Sequence, residues 1–367
     1  MIAGDLGALP AEVFDDLGRG HGDAAAVALL ADAELAVNRA LVGEVAGETA
    51  AGGALLAGLE QRAPGVFDEV LRHPFVRSWA VSCLDGGGGD CDPDWAAAIA
   101  AAVAVRAGIE AEVLVRAHGG RIHLPTVGYF PAPAAEVTVV AGPGSIRLRW
   151  PGGRAQVPGA ARGWNAARWV TVGGARILLE DADPYRDRLL HAAPERLDAA
   201  AADGWSTVLG QAWNRLAADA PGQLEGLRQG LRAVVPLAPA PDGTPRGATS
   251  RHAFGAVGLA RSDDPAEVAV LLVREFQHMK LGAVLDLIDL VPDGAVGGPR
   301  AVEEVLQRAY ADLAVADVWR RRGRPEPYRR CRDRAAEAIS FLRSGERLTP
   351  AGARFVARMA DSLGVDG

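Results

Sequence analysis

The segment from Pro265 to Leu290, PAEVAVLLVREFQHMKLGAVLDLIDL, constrains the fold more than any other stretch. Its spacing predicts a helix with apolar residues on almost every face, so neighbouring elements must enclose it on all sides. A chain of 367 residues can supply that enclosure. Single cores stop growing near roughly 250–300 residues, so two or three structural units are expected. Polar residues within such a helix, Arg274, Glu275 and His278 among them, require partners.

The rest of the chain divides by texture. From Pro10 to about Leu71, apolar residues at helical spacing (Val27, Leu30, Ala33, Val37, Leu41) predict a helical unit, and a further helix is expected from Trp95 to about Arg106. Between them lies the glycine run Gly86–Gly89, which reads as a mobile surface loop, since no Lys-Ser/Thr follows it as in a phosphate cradle. Between about Ile109 and Leu179, the short alternating or β-branched runs EVLV, RIHL, EVTVV, SIRLRW and RWVTV, separated by turn residues, predict an antiparallel β region. Helical texture resumes from about Pro194 through Val235 and carries Trp205 and Trp213, read as core anchors. The stretch AVVPLAPAPDGTPRGATS passes for a linker or bounding loop. The expected fold class is therefore α+β, mainly helical, with an antiparallel β region in mid-chain. Its expected units are residues 1–107 (helical), 108–190 (β) and 191–367 (helical, carrying the Arg-Glu-Phe-Gln-His helix).

Bulk properties exclude several functions. Apolar residues make up 49% and charged residues 23%, which is too apolar for general disorder, and a net charge of -7 disfavours nucleic acid as a partner. The basic run Arg320–Arg322, Arg324, Arg329, Arg330 and Arg332 has no interleaved aromatics and reads as a solvated helix end. No uninterrupted apolar run reaches the ~18 residues that span a bilayer. The odd cysteine count (Cys83, Cys91, Cys331) and an N-terminal sequence unlike a signal peptide point to a reducing cytoplasm. Cys83 and Cys91 lack metal-type spacing and read as ordinary thiols. His21, His73, His118, His123, His191 and His252 are scattered and read as surface or core histidines. Ser250 beside Arg251-His252 is too close in sequence to make a nucleophile and base.

In a zinc-type HExxH helix, two histidines at i and i+4 reach one metal from one face, with the glutamate between them as a base. Here position i is Arg274, a permanent cation with no lone pair to donate, so a hydrolytic zinc site is not expected.

The surrounding text nevertheless resembles a known family. LLVREFQHMKLGAVLDLIDLV is similar to LVHEFQHxKLGALLDLxDL, and PRAVEEVLQRAYADLAVADVW to PRPLxGLLxGxYAHLAVADFW, both signatures of HExxH-type peptide-modification proteins. HPFVRSWAVSCL (73–84), HLPTVG (123–128), DADPYRD (181–187) and ATSRHAFGAV (248–257) also have counterparts there, in the same order. Members occur fused to, or beside, radical-SAM cyclophane-forming maturases of ribosomally made peptides (RiPPs). The resemblance implies iron(II)- and 2-oxoglutarate-dependent β-hydroxylation of a precursor peptide. That chemistry commonly uses a small facial set of His and carboxylate ligands on the iron, with an arginine, here Arg300 of Pro299-Arg300, to clamp the co-substrate's far carboxylate.

The same correspondence exposes the departures. The family's first motif histidine falls on Arg274, its glutamate on Glu275, its second histidine on His278 and the histidine of its Tyr-Ala-His on Asp312. Two readings follow. In the first, Arg274 and Asp312 form an ion pair in the vacated site, and a cofactor-free pseudoenzyme binds the precursor peptide or a partner maturase. In the second, Glu275, His278 and Asp312 hold Fe(II) as a rewired ligand set of an active 2-oxoglutarate hydroxylase.

Overall fold

Prolines mark where many of the helices start. Pro64, Pro74, Pro221, Pro265, Pro299, Pro325 and Pro350 each stand in a first turn, where the missing N–H costs no hydrogen bond and the fixed φ suits a helix. The fold is that of a computed structural model, which describes residues 9–47, 50–85, 91–157, 163–189 and 196–364. The glycine run Gly86–Gly89, His191 and the first eight residues lie outside the described residues.

The chain opens with α1 (Ala11–Gly18), α2 (Ala24–Gly47), α3 (Ala50–Arg62), α4 (Pro64–Leu71) and α5 (Pro74–Leu84). A 3-10 turn at Pro93–Trp95 then leads into α6 (Ala96–Ala107). The β region comprises β1 (Ala111–Arg116), β2 (Arg121–Leu124), β3 (Gly128–Pro131), β4 (Glu136–Gly142), β5 (Ser145–Trp150), β6 (Gly153–Val157), β7 (Asn165–Ala166), β8 (Trp169–Val172) and β9 (Ala175–Leu179). After a second 3-10 turn at Arg186–Leu189 come α7 (Ala199–Asp219), α8 (Pro221–Gly230), β10 (Ala233–Leu237), β11 (Gly247–Ala248) and β12 (Ala256–Ala260). Four helices end the chain: α9 (Pro265–Leu287), α10 (Pro299–Arg321), α11 (Pro325–Arg343) and α12 (Pro350–Leu363). With 56% helix, 17% strand and antiparallel sheets in mid-chain, the fold class is the mainly helical α+β architecture expected.

Two antiparallel sheets, β1-β4-β5-β6 and β2-β3-β7, lie wholly within the β region. The third sheet, β11-β12-β10-β9-β8, corrects the sequence reading, because β10 pairs in parallel with both β9 and β12. Residues 233–237, read as the end of a helix and the start of a linker, form a strand buried at every position. A short apolar run buried on both faces has no alternation to announce it, so periodicity cannot separate it from a helix. Since β9 pairs with β10, the mid-chain β region and the C-terminal third share one sheet. Trp205 and Trp213 are buried, as expected of core anchors.

α9 is enclosed as its composition demands, packing against α2, α7, α10, β11 and β12. Asp264 caps it by accepting a hydrogen bond from the Ala266 N–H at 2.8 Å, and Pro265 occupies the first turn. Arg77 of α5 ties the opening helices to its far end by bonding both Glu34 of α2 and Asp286.

Cys83 and Cys91 form a disulfide, which corrects their reading as ordinary thiols. The Trp79 indole N–H donates to the Asp92 carbonyl and holds the two segments together, leaving the cysteine Cα atoms 5.0 Å apart, within bridging range. The thiol argument for a reducing compartment thereby loses two of its three cysteines. Among the described residues, no helix is long and apolar enough to cross a membrane.

Candidate functional site

Residues four apart on a helix share a face, so Arg274 and His278 of α9 both look toward α10 and α11. Together with Asp312 and Arg308 of α10, and Arg334, Glu337 and Phe341 of α11, they line a cavity of about 660 Å³. The ion pair expected between Arg274 and Asp312 is present, at 3.5 Å. It is the weaker of two. Arg334 forks onto Asp312 with Nε at 2.9 Å from Oδ2 and Nη2 at 2.7 Å from Oδ1, a bidentate geometry that occupies both oxygens. The carboxylate's hold raises the Arg334 pKa, while Arg274 keeps 40% of its side chain exposed at the cavity wall.

His278 stands between this cavity and a smaller one of about 300 Å³, lined by Thr249, Ser250, Arg251, Phe254, Glu303 and Gln307 among others. Its Nδ1 lies 3.0 Å from Gln307 Oε1. Burial, reinforced by the Arg274 charge, pushes the imidazole below its usual range, against the opposite pull of Gln307 and Asp312.

Glu275 faces elsewhere. One residue on from Arg274, its side chain turns by about 100° toward β11, where its Oε1 would lie 2.5 Å from a Cβ placed on Gly247. A side chain at 247 would force that carboxylate to move. Burial pushes Glu275 up to about 7, outweighing the Arg274 charge and a hydrogen bond with Thr249. It lines a second recess with Arg246 and Asp242, on the other side of Arg274, which borders both. Glu275, His278 and Asp312 thus do not converge on one point.

The residues do not fit the iron that the resemblance implies. One position holds a guanidinium, Asp312 has both oxygens engaged by Arg334, and Glu275 points into another recess. Arg300, the anticipated co-substrate clamp, is exposed in the first turn of α10 and lines neither cavity beside His278. Twelve residues of helix, about 18 Å of rise, separate it from Asp312. The arginines that do face the larger cavity are Arg274, Arg308 and Arg334.

Two features escaped the sequence reading. Lys280 is fully buried, its ammonium donating to the carbonyls of Gly20 and His21 and to Gln223 Oε1, and burial pushes its pKa down to about 7. Its place in a helix expected to be enclosed on all sides was the available signal. The second feature is a buried cluster of His73, His123, Glu180 and Asp183, drawn from three segments far apart in sequence and visible only once the chain is folded.

No protein-family model matches the chain, and no curated protein matches it. The reading of these sites rests on their own geometry.

Proposed function

We propose that this chain is a RiPP maturation protein of the HExxH hydroxylase type that no longer performs metal catalysis. It binds a precursor peptide through the cavity between α9, α10 and α11. The observation that carries the reading is the division of labour around Asp312. Arg334 neutralises that carboxylate bidentately, so Arg274 is left 40% exposed, with the 3.5 Å contact to Asp312 as its one ion pair among the described residues. With Arg308 beside it, the cavity wall presents two further guanidiniums against one further carboxylate, Glu337. A planar cationic fork on a cavity wall suits a carboxylate ligand, so an acidic side chain or the carboxyl end of a peptide is the expected occupant. The resemblance adds a radical-SAM maturase as the partner that acts on the same peptide.

Fluorescence anisotropy with a labelled Asp/Glu-containing peptide, and with its Asn/Gln counterpart, tests the reading. The acidic peptide is expected to bind at least about tenfold more tightly, and Arg274→Gln with Arg308→Gln to remove that preference. Equal binding of the two peptides overturns the carboxylate pocket. Succinate release from 2-oxoglutarate that requires Fe(II), a peptide and His278 overturns the non-catalytic reading in favour of a rewired hydroxylase.

A further inference from the structure

The cluster at His73 lies among α5, β2 and the loop after β9, outside the cavity described above. His73 Nε2 stands 2.8 Å from Asp183 Oδ2 and 3.8 Å from Glu180 Oε2, and His123 Nδ1 stands 3.8 Å from the same Asp183 oxygen. All four residues are at least nine-tenths buried. Among the described residues, His73, Glu180 and Asp183 form the one group of three whose ligand-type atoms all lie within 4.8 Å of one another.

Each carboxylate is anchored through one oxygen and turns the other inward. Glu180 Oε1 accepts the backbone N–H groups of Ala182 and Asp183, both at 2.9 Å, and Asp183 Oδ1 accepts that of Tyr185 at 2.8 Å. The Arg186 guanidinium donates to the Asp183 carbonyl at 2.8 Å. On the imidazole side, His123 Nδ1 is buried without a hydrogen-bond partner, held in place by its ring stacking parallel to Trp95. A network of protons alone satisfies the His73–Asp183 pair but leaves that nitrogen orphaned, and a buried unpaired polar atom is costly.

We infer that His73 Nε2, Glu180 Oε2 and Asp183 Oδ2 form a buried binding site for a divalent metal ion of the zinc type, with His123 Nδ1 beside it to hydrogen-bond a water on the ion. One imidazole nitrogen and two carboxylate oxygens are a donor set such ions accept, and the two negative charges match one dication. Ligands bonded at about 2.0–2.2 Å stand no more than about 4.4 Å apart, and the separations of 2.8 and 3.8 Å from His73 Nε2 to the two carboxylates fall inside that limit, whereas His123 lies outside the group. The backbone N–H groups on the outer oxygens are the orienting contacts that metal ligands need. Full burial keeps a substrate from the ion, so its role is structural, clamping the start of α5 to the loop after β9.

The test is independent of the peptide cavity. Chelator-treated full-length protein is titrated calorimetrically with Zn²⁺ alone, and crystals are grown with zinc for an anomalous difference map. One bound equivalent, a raised thermal midpoint and an anomalous peak bonded to His73 Nε2 and Asp183 Oδ2 are expected. His278→Ala keeps the equivalent, and His123→Gln weakens it at least about tenfold. An equivalent that survives His73→Gln combined with Asp183→Asn overturns the inference. So does a wild-type map with no peak at the cluster, which decides the matter even if the double variant does not fold.

Discussion

The two polar constellations of this molecule treat charge in opposite ways. Around His278, carboxylate and guanidinium partners stand at the wall of an open cavity, with Arg274 and Arg334 40% and 51% exposed. Around His73, imidazoles and carboxylates are sealed, with side chains exposed by 5% or less. Solvent screens the first set, so its ion pairs contribute little stability and its surplus cation remains available to a ligand. The second set has no solvent to share its charge, and each member depends on the others. The motif that looks like a metal site thus lacks the donors for one, whereas residues with no recognisable spacing possess them.

The sharpest way to break this comparison is to remove one carboxylate from each region and follow urea unfolding. Asp183→Ala leaves His73 and His123 facing a void and is expected to cost about 3–5 kcal/mol, as for the loss of one partner of a buried pair. Asp312→Ala strips a partner from two arginines that water already reaches, and about 1 kcal/mol is expected. Equal losses would show that the His278 cavity is as closed as the cluster.

How far the sequence revealed these regions follows from how local their determinants are. The enclosure of α9 is written in its apolar pattern. The facing of Arg274 and Asp312 follows from two signature-like helices that pack on each other. The dominant partner of Asp312 was not legible, because Arg334 sits 22 residues further on, past the turn into α11, and no rule of helical spacing crosses that turn. His73 and Asp183 are 110 residues apart and meet through packing alone. The segments beginning at His73, His123 and Asp181 were recognisable separately, but nothing in one sequence says that they meet. β10 escaped because burial on both faces erases alternation, and the disulfide because the Trp79–Asp92 hydrogen bond that brings its ends together is a property of the fold.

A titration sharpens the contrast within α9 itself. Glu275 is held at about 7 in the folded chain, above its ordinary 4.5, so between those values the folded form keeps a proton that the unfolded form has lost. Its contribution is full below pH 4.5 and is lost as pH rises through 7, a change of about 3 kcal/mol at most. Thermal midpoints measured from pH 4.5 to 7.5 should therefore fall, and Glu275→Gln, which carries no charge into the recess beside Gly247, should flatten that part of the slope. An unchanged slope would mean that water reaches the Glu275 carboxylate as freely as it reaches Arg274.

The smallest expected effect comes from Arg300, and its smallness is informative. Arg300 is exposed at the start of α10, whereas Arg308, two turns on, lines the cavity with Arg274. Arg300→Ala should change stability by less than about 0.5 kcal/mol and leave the preference for an acidic peptide intact. Arg308→Ala should cost as little in stability yet weaken acidic-peptide binding several-fold, because a carboxylate in the cavity loses one of its cations. If Arg300→Ala weakened binding as much as Arg308→Ala, the ligand would have to extend along α10 to its N-terminus, and the occupied surface would be a groove along the helix instead of the cavity at His278.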